Sequence, residues 1–178
     1  MEILIATGRL AENTVRKASG EKADVLVVDI DIAAFITPNK LIKGFQAANI
    51  SKKYDLILLP GLVPGDFSKV SEELGAKIRL GPKHAYDLSF VLPFAEKVEF
   101  SEKIPACELL ADVRKEMAIE LLRKTEEEAS SLLTLREVKL GGDACMKVMG
   151  EIVGAMEMDP GLLQEKIEAF IARGADII

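Results

Sequence analysis

The sequence contains no tryptophan, and aromatic residues make up 5% of it. Any hydrophobic core must therefore be aliphatic. It has one histidine and two cysteines, Cys107 and Cys145, with no CxxC spacing. That shortage argues against a zinc centre, and unpaired cysteine usage points to a reducing cytoplasm. Basic residues are outnumbered: 23 Lys and Arg face 29 Asp and Glu, for a formal net charge of −6. An acidic surface argues against nucleic acid or an anionic membrane as partner. Long apolar runs are missing too. The stretch from Leu56 to Val63 is far too short to span a bilayer. Met1 to Leu4 lead straight into a strand pattern, so no signal peptide is expected.

The chain has 178 residues, of which 49% are hydrophobic and 29% charged. That length corresponds to one domain and a small remainder, with enough apolar content to fold. Ile3 to Ala6, Val25 to Val28 and Leu56 to Leu59 are short continuous apolar runs and read as buried strands. Ala76 to Leu80 reads as a fourth. Helix-period segments alternate with them: Leu10 to Ser19 closed by Gly20, Pro38 to Ala48 with Thr37 as N-cap, and Phe67 to Leu74 with Asp66 as N-cap. Continuous rather than alternating strands mean that both sheet faces are covered, the mark of a parallel sheet with crossover helices. The pattern predicts a three-layer α/β domain, flavodoxin-like or Rossmann-like, over residues 1–135.

One later segment has two readings. Val91 to Pro93 fits either an edge strand or a helix starting near His84. Pro105 to Ser131 reads as one long helix with Leu110, Val113, Met117 and Leu121 on one face, and with Glu126 to Glu128 as a solvated run. Residues 136–178 change character. Val148 to Val153 is strand-like. Asp159 and Pro160 cap a helix with a stripe of Leu163, Ile167, Phe170 and Ile171, and Ala175 to Ile178 reads as the start of another strand. The segment is thus expected to be a strand–helix–strand unit cut off at its second strand. Its apolar faces should pack on the domain or drive homo-oligomerisation.

In open parallel sheets, ligands bind beyond the carboxyl ends of the strands. The unusual residues fall there. Thr7, Gly8 and Arg9 follow the first strand. Gly8 would let a backbone approach, and Arg9 would add a forked donor for an anion. Asp29 and Asp31 follow the second strand, where they could hold ribose hydroxyls or a metal or simply form a turn. Asp66 follows the third. Lys83, His84 and Asp87 follow the fourth. If that last segment is helical, His84 and Asp87 share a face, Asp87 orients the imidazole, and Lys83 attracts a phosphate or carboxylate. Each motif also has a plainer reading as a turn, a cap or a solvated charge. A single hydroxyl in the first loop speaks against a flavin phosphate site. Cys107 and Cys145 read as core thiols, and Met146, Met149, Met156 and Met158 as core and turn fillers.

Five segments together resemble one family: Ile3 to Ala11 (ILIATGRLA), Asp31 to Pro38 (DIAAFITP), Tyr54 to Gly61 (YDLILLPG), Gly81 to Asp87 (GPKHAYD) and Gly141 to Val153 (GGDACMKVMGEIV). Their order and spacing are similar to those of the archaeal dihydropteroate synthase-related proteins. The resemblance implies an N-terminal α/β domain followed by a TIM barrel, with residues 136–178 as the barrel's opening. It also implies a place in pterin and one-carbon cofactor biosynthesis, with a pterin as substrate and a transferase activity of the whole protein. Dihydropteroate synthases carry an Asn-containing loop after the first barrel strand. Here Gly154-Ala155-Met156-Glu157 stands in its place, so no synthase catalytic residue carries over and this chain alone is expected to be inactive. Thr7, Gly8, Arg9, Asp31, Asp66, Lys83, His84 and Asp87 are the resulting candidates for binding a small molecule. A non-catalytic accessory or oligomerisation domain is the alternative.

Overall fold

In the computed structural model, which describes residues 1–178, four strands form one parallel sheet: β1 (Ile3–Thr7), β2 (Asp24–Val27), β3 (Leu56–Leu59) and β4 (Lys77–Leu80). Their order is β2-β1-β3-β4. Register follows the apolar runs, with Ile5 beside Val25 and Leu58, and Leu58 beside Arg79. The two central strands are buried at every position, whereas the edge strands β2 and β4 are buried only in part. That gradient follows from position: only a central strand has neighbours on both edges and layers on both faces.

Side-chain alternation along each strand feeds two separate cores. Leu4, Leu26, Ile57 and Ile78 point to one face and pack with Leu41 of α2 (Pro38–Ala47) and Val70 of α3 (Ser68–Leu74). Ile3, Ile5, Leu56 and Leu58 point to the other. There they meet Val15 of α1 (Glu12–Ser19), Leu88 and Val91 of α4 (Leu88–Val91), and Ala106 of α5 (Ala106–Leu109). The domain therefore has three layers, as the strand pattern predicts.

Local starts and stops match their residue chemistry, with shifts. The Thr37 hydroxyl accepts from the Lys40 N–H at 3.4 Å, with Pro38 opening α2. A 3-10 turn over Arg9–Ala11 precedes α1, so the regular helix begins at Glu12. Helix α3 starts at Ser68 rather than Phe67. Asp66 folds back on that start by accepting from the Ser68 N–H at 2.8 Å and from its hydroxyl. Val91 to Pro93 is helical: α4 sits between 3-10 turns over Ala85–Asp87 and Leu92–Phe94.

The long helix expected from Pro105 is broken at Leu110, whose backbone leaves the helical region at φ −98° and ψ 11°. Leu110 itself is buried. Helix α6 (Ala111–Glu128) follows, and of the expected stripe only Leu110 and Val113 reach the core. Met117 and Leu121 are exposed. The chain divides accordingly into two compact units, Met1–Arg114 and Lys115–Ile178. The division falls inside α6, earlier than the expected boundary at 135, because core packing ends with Val113.

In the second unit the alternation Leu133-Thr134-Leu135 and Val138-Lys139-Leu140 forms an antiparallel hairpin, β5 (Leu133–Leu135) and β6 (Val138–Leu140). This hairpin is not among the elements that the sequence pattern predicts. Arg136 takes a left-handed turn conformation at φ +54°. The Lys139 ammonium donates to the carbonyls of Glu126, Glu127 and Ala129 and so closes the carboxyl end of α6. Glu126, expected on a solvated face, accepts from the Cys145 N–H at 2.9 Å and pairs with Lys147 at 2.7 Å. Helix α7 (Pro160–Ala172) is capped by Asp159, as its sequence predicts. Leu163, Ile167 and Phe170 are half-buried and Ile171 is exposed. The two expected strands around α7 shrink to one parallel bridge between Met149 and Ile177. No residue of this unit is fully buried. Of the expected core and turn fillers, Met146, Met149 and Met156 fill no core: Met146 and Met156 are almost wholly exposed, the latter in a 3-10 turn.

Candidate functional site

Strand order β2-β1-β3-β4 means that the chain runs outward from β1 in both directions. The crevice between the carboxyl ends of β1 and β3 is the topological switch point, where open α/β sheets bind ligands. A cavity of about 90 Å³ opens there, lined by Ile5, Thr7, Val15, Leu58, Pro60, Pro82, Lys83 and Leu88 among others. Its walls are almost all apolar. Thr7 is 1% exposed, and the one hydrogen bond of its hydroxyl is a long one, 3.5 Å, to the Gly8 carbonyl. Thr7 and Lys83 are the polar side chains of this cavity.

Around it, the loops are stitched to one another. The Arg9 N–H donates to the Ile30 carbonyl at 2.8 Å and the Leu10 N–H to the Asp31 carbonyl at 3.2 Å. The Gly61 N–H donates to Pro82 at 2.9 Å, and the Ala106 N–H to Gly81 at 3.0 Å. Two glycines are required by this stitching. A Cβ on Gly8 would stand 2.7 Å from the Asp31 carbonyl oxygen, and one on Gly61 would stand 2.6 Å from that of Gly81. Gly8 is extended at φ −96°, so it serves close backbone approach and not a left-handed turn.

The expected anion loop at Thr7-Gly8-Arg9 is thus already occupied from within. Its Arg9 and Leu10 amides serve the loop after β2, and the Arg9 side chain pairs with Asp31 at 2.8 Å and with Asp29. Both carboxylates hold the guanidinium pKa above its ordinary value, Asp31 first. Lys83 pairs with Glu108 at 2.5 Å, which raises its pKa, and its backbone N–H reaches Cys107 Sγ at 3.5 Å. Cys107 and Cys145 are free thiols, half-buried rather than core.

The expected His84–Asp87 partnership does not form. His84 is extended at φ −115°, outside the 3-10 turn it precedes, so its side chain leaves the helical face. Asp87 pairs instead with Arg114 at 3.0 Å. His84 is exposed and makes no hydrogen bond through its ring. Asp66 belongs elsewhere again. It lines a separate cavity of about 110 Å³ with Ser71, Arg79 and Lys103, and its pKa is lowered chiefly by the Ser68 hydroxyl. The eight sequence candidates therefore fall into three places. Thr7 and Lys83 share the switch-point cavity, flanked by His84 and Asp87. Gly8, Arg9 and Asp31 form the neighbouring loop contact. Asp66 lies apart.

Sequence reasoning missed Glu108 and Arg114, the ion-pair partners of Lys83 and Asp87. They lie far along the chain on segments read as plain helix. Their charge opposite an expected anion site was the only available signal. No group of acidic, histidine or cysteine side chains is arranged to hold a metal ion. No helix is long and apolar enough to cross a membrane.

Over its whole length the chain is similar to Uncharacterized protein MJ0107 of Methanocaldococcus jannaschii, at 35% identity across 188 aligned positions. It spans 36% of that protein's length. No family model matches the chain, and no solved structure matches it.

Proposed function

We propose that Met1–Arg114 is a small-molecule-binding domain with its site at the carboxyl edge of the sheet, and that it serves pterin and one-carbon cofactor biosynthesis as part of a longer, dihydropteroate synthase-related protein. One observation carries the binding reading: the cavity with Thr7 and Lys83 coincides with the switch point between β1 and β3. Its volume is well below that of a site enclosing a whole drug-sized molecule, roughly 300 Å³ or more. A ligand would insert one apolar end against Thr7 and leave the rest over the loops. A phosphate or carboxylate on that outer part would compete with Glu108 for Lys83. His84, free of other partners, would donate to or accept from the same group. The two free cysteines support a reducing cytoplasm as its setting.

The test is a titration of the isotope-labelled chain with a pterin and with inorganic phosphate. Shifts of the Gly8, Lys83, His84 and Ala85 amides are expected, and the joint change Lys83→Ala and His84→Ala should abolish them. Silence of all four amides at saturating ligand would overturn the reading.

A second reading is favoured by a different observation. Arg9, Lys83 and Arg114 at this edge are already paired with carboxylates of the chain, and the second unit has no fully buried residue. Both features fit a non-catalytic accessory domain. On this reading the parallel bridge and α7 are the opening of a TIM barrel, which needs eight strands to close. The bridge supports that reading because parallel strands joined through a helix are the repeating unit of such barrels. No catalytic residue is assigned to this chain on either reading.

A further inference from the structure

The cavity that Asp66 lines lies beside the edge strand β4 and has an apolar floor. Leu59, Phe67, Ile78 and Leu80 supply that floor, and all four are buried members of one core. Four charged side chains line the same cavity, two of each sign: Asp66 and Glu102, Arg79 and Lys103. They come from three separate stretches of chain. Asp66 stands before α3, Arg79 lies within β4, and Glu102 and Lys103 follow where the chain returns along β4. There the Leu80 N–H donates to the Ser101 carbonyl at 2.9 Å. The Ser101 hydroxyl then accepts from the N–H groups of Lys103 at 3.0 Å and Ile104 at 3.2 Å. That turn fixes the backbone that carries Glu102 and Lys103 beside the cavity.

These charges are only partly used. Asp66 Oδ1 takes both bonds from Ser68, and Oδ2 takes none. Ser68 also holds the Asp66 carboxyl below its ordinary pKa, so it is charged at neutral pH. Glu102 Oε1 accepts from Arg79 at 2.7 Å, and Oε2 accepts nothing. Lys103 bonds through its backbone N–H alone, which leaves its ammonium without a partner. Asp66 and Lys103 border one cavity and do not pair with each other.

Such a lining discriminates by charge. A lone anion would meet the carboxylates of Asp66 and Glu102 as well as Lys103. A lone amine would meet Arg79 and Lys103 as well as the carboxylates. Either juxtaposition of like charges is costly. A molecule with one charge of each sign satisfies both sets. Size narrows the choice further. A cavity of about 150 Å³ encloses benzene, so one of about 110 Å³ with an exposed rim suits a molecule of six or so non-hydrogen atoms.

We propose that this cavity binds a small zwitterion of the α-amino acid class. Its carboxylate would face Lys103 and Arg79, its ammonium Asp66 and Glu102, and its short side chain the floor at Phe67. The site is distinct from the switch-point cavity, and the proposal does not depend on what that cavity binds.

A titration of the isotope-labelled full chain with L-alanine, up to high millimolar concentration, tests this. Propionate, which lacks the ammonium, and ethylamine, which lacks the carboxylate, are the controls. L-Alanine should shift the amides of Ser68, Arg79, Glu102 and Lys103 to saturation and leave those of Gly8 and His84 in place. Propionate and ethylamine should bind about tenfold more weakly or less. Asp66→Asn and Lys103→Met should each weaken L-alanine about tenfold or more. Both side chains are exposed, and Asn keeps an oxygen for the Ser68 amide, so amides elsewhere should not move. Glu102→Gln is the further disruption should either variant misfold. Silence of the four amides overturns the proposal. So does binding of either control as tight as that of L-alanine, or L-alanine binding that ignores the substitutions. Shifts at Gly8 and His84 alone would also overturn it, since they place the ligand in the switch-point cavity.

Discussion

The first 114 residues and the last 64 contain similar kinds of residue and use them differently. In Met1–Arg114, strands and helices interleave so that each apolar run is covered on both faces, and two cores close above and below the sheet. In Lys115–Ile178 the apolar residues are as evident in the sequence, yet none is fully buried. That unit is held by polar devices: the Lys139 ammonium on the end of α6, Glu126 between Cys145 and Lys147, and Asp159 on the start of α7. Exposed ion pairs and caps contribute little each, whereas burial of aliphatic side chains supplies most of a domain's stability. A segment can therefore have regular secondary structure without a core that would sustain it.

The sharpest way to break this contrast is in the central strand. Leu58 is 0% exposed between two covered faces. Leu58→Ala should cost about 3–4 kcal/mol in chemical denaturation, whereas Met156→Ala, at a side chain 99% exposed, should stay within about 0.5 kcal/mol. Equal losses would mean that the second unit has a core after all. Next comes Gly61→Ala, which forces a Cβ against the Gly81 carbonyl and should cost about 1–3 kcal/mol. Because that strain falls where the two loops frame the cavity, the amide shifts of Lys83 and His84 should move as well.

Smaller effects sharpen the comparison. Thr37→Ala removes the cap of α2, whose hydrogen bond is long, and should cost about 0.5–1 kcal/mol. The least effect comes from pH. Asp24 is held below the ordinary carboxylate range first by Lys52 and then by the Tyr54 hydroxyl. Its contribution is complete above the unfolded value of about 3.9 and is lost as pH falls through the depressed folded value. Asp24→Asn should flatten the acid limb of the first unit's stability in that window. Glu126, lowered by Lys147 and by the Cys145 amide, should behave alike in the second unit.

The four strands and their covering helices were legible because continuous apolar runs have one economical burial, between two layers. The Thr37 and Asp159 caps were legible because their chemistry is local. What escaped depended on distant partners. The break at Leu110 arises because that side chain enters the core while the backbone turns, and the helical periodicity runs on past it. Asp87 looked like a partner for His84 three residues away, yet Arg114, 27 residues on, takes it. Likewise Gly8 and Arg9 read as an anion loop because their sequence does not show that the Ile30 and Asp31 carbonyls already accept the Arg9 and Leu10 amides.

Native-state hydrogen exchange on the full chain, resolved by residue, tests the central contrast most directly. Strands β1 and β3 should exchange only through global unfolding. Amides of β5, β6 and α7 should exchange through local opening, at rates that do not respond to Leu58→Ala. Equal protection in both units, lowered together by that substitution, would contradict the account.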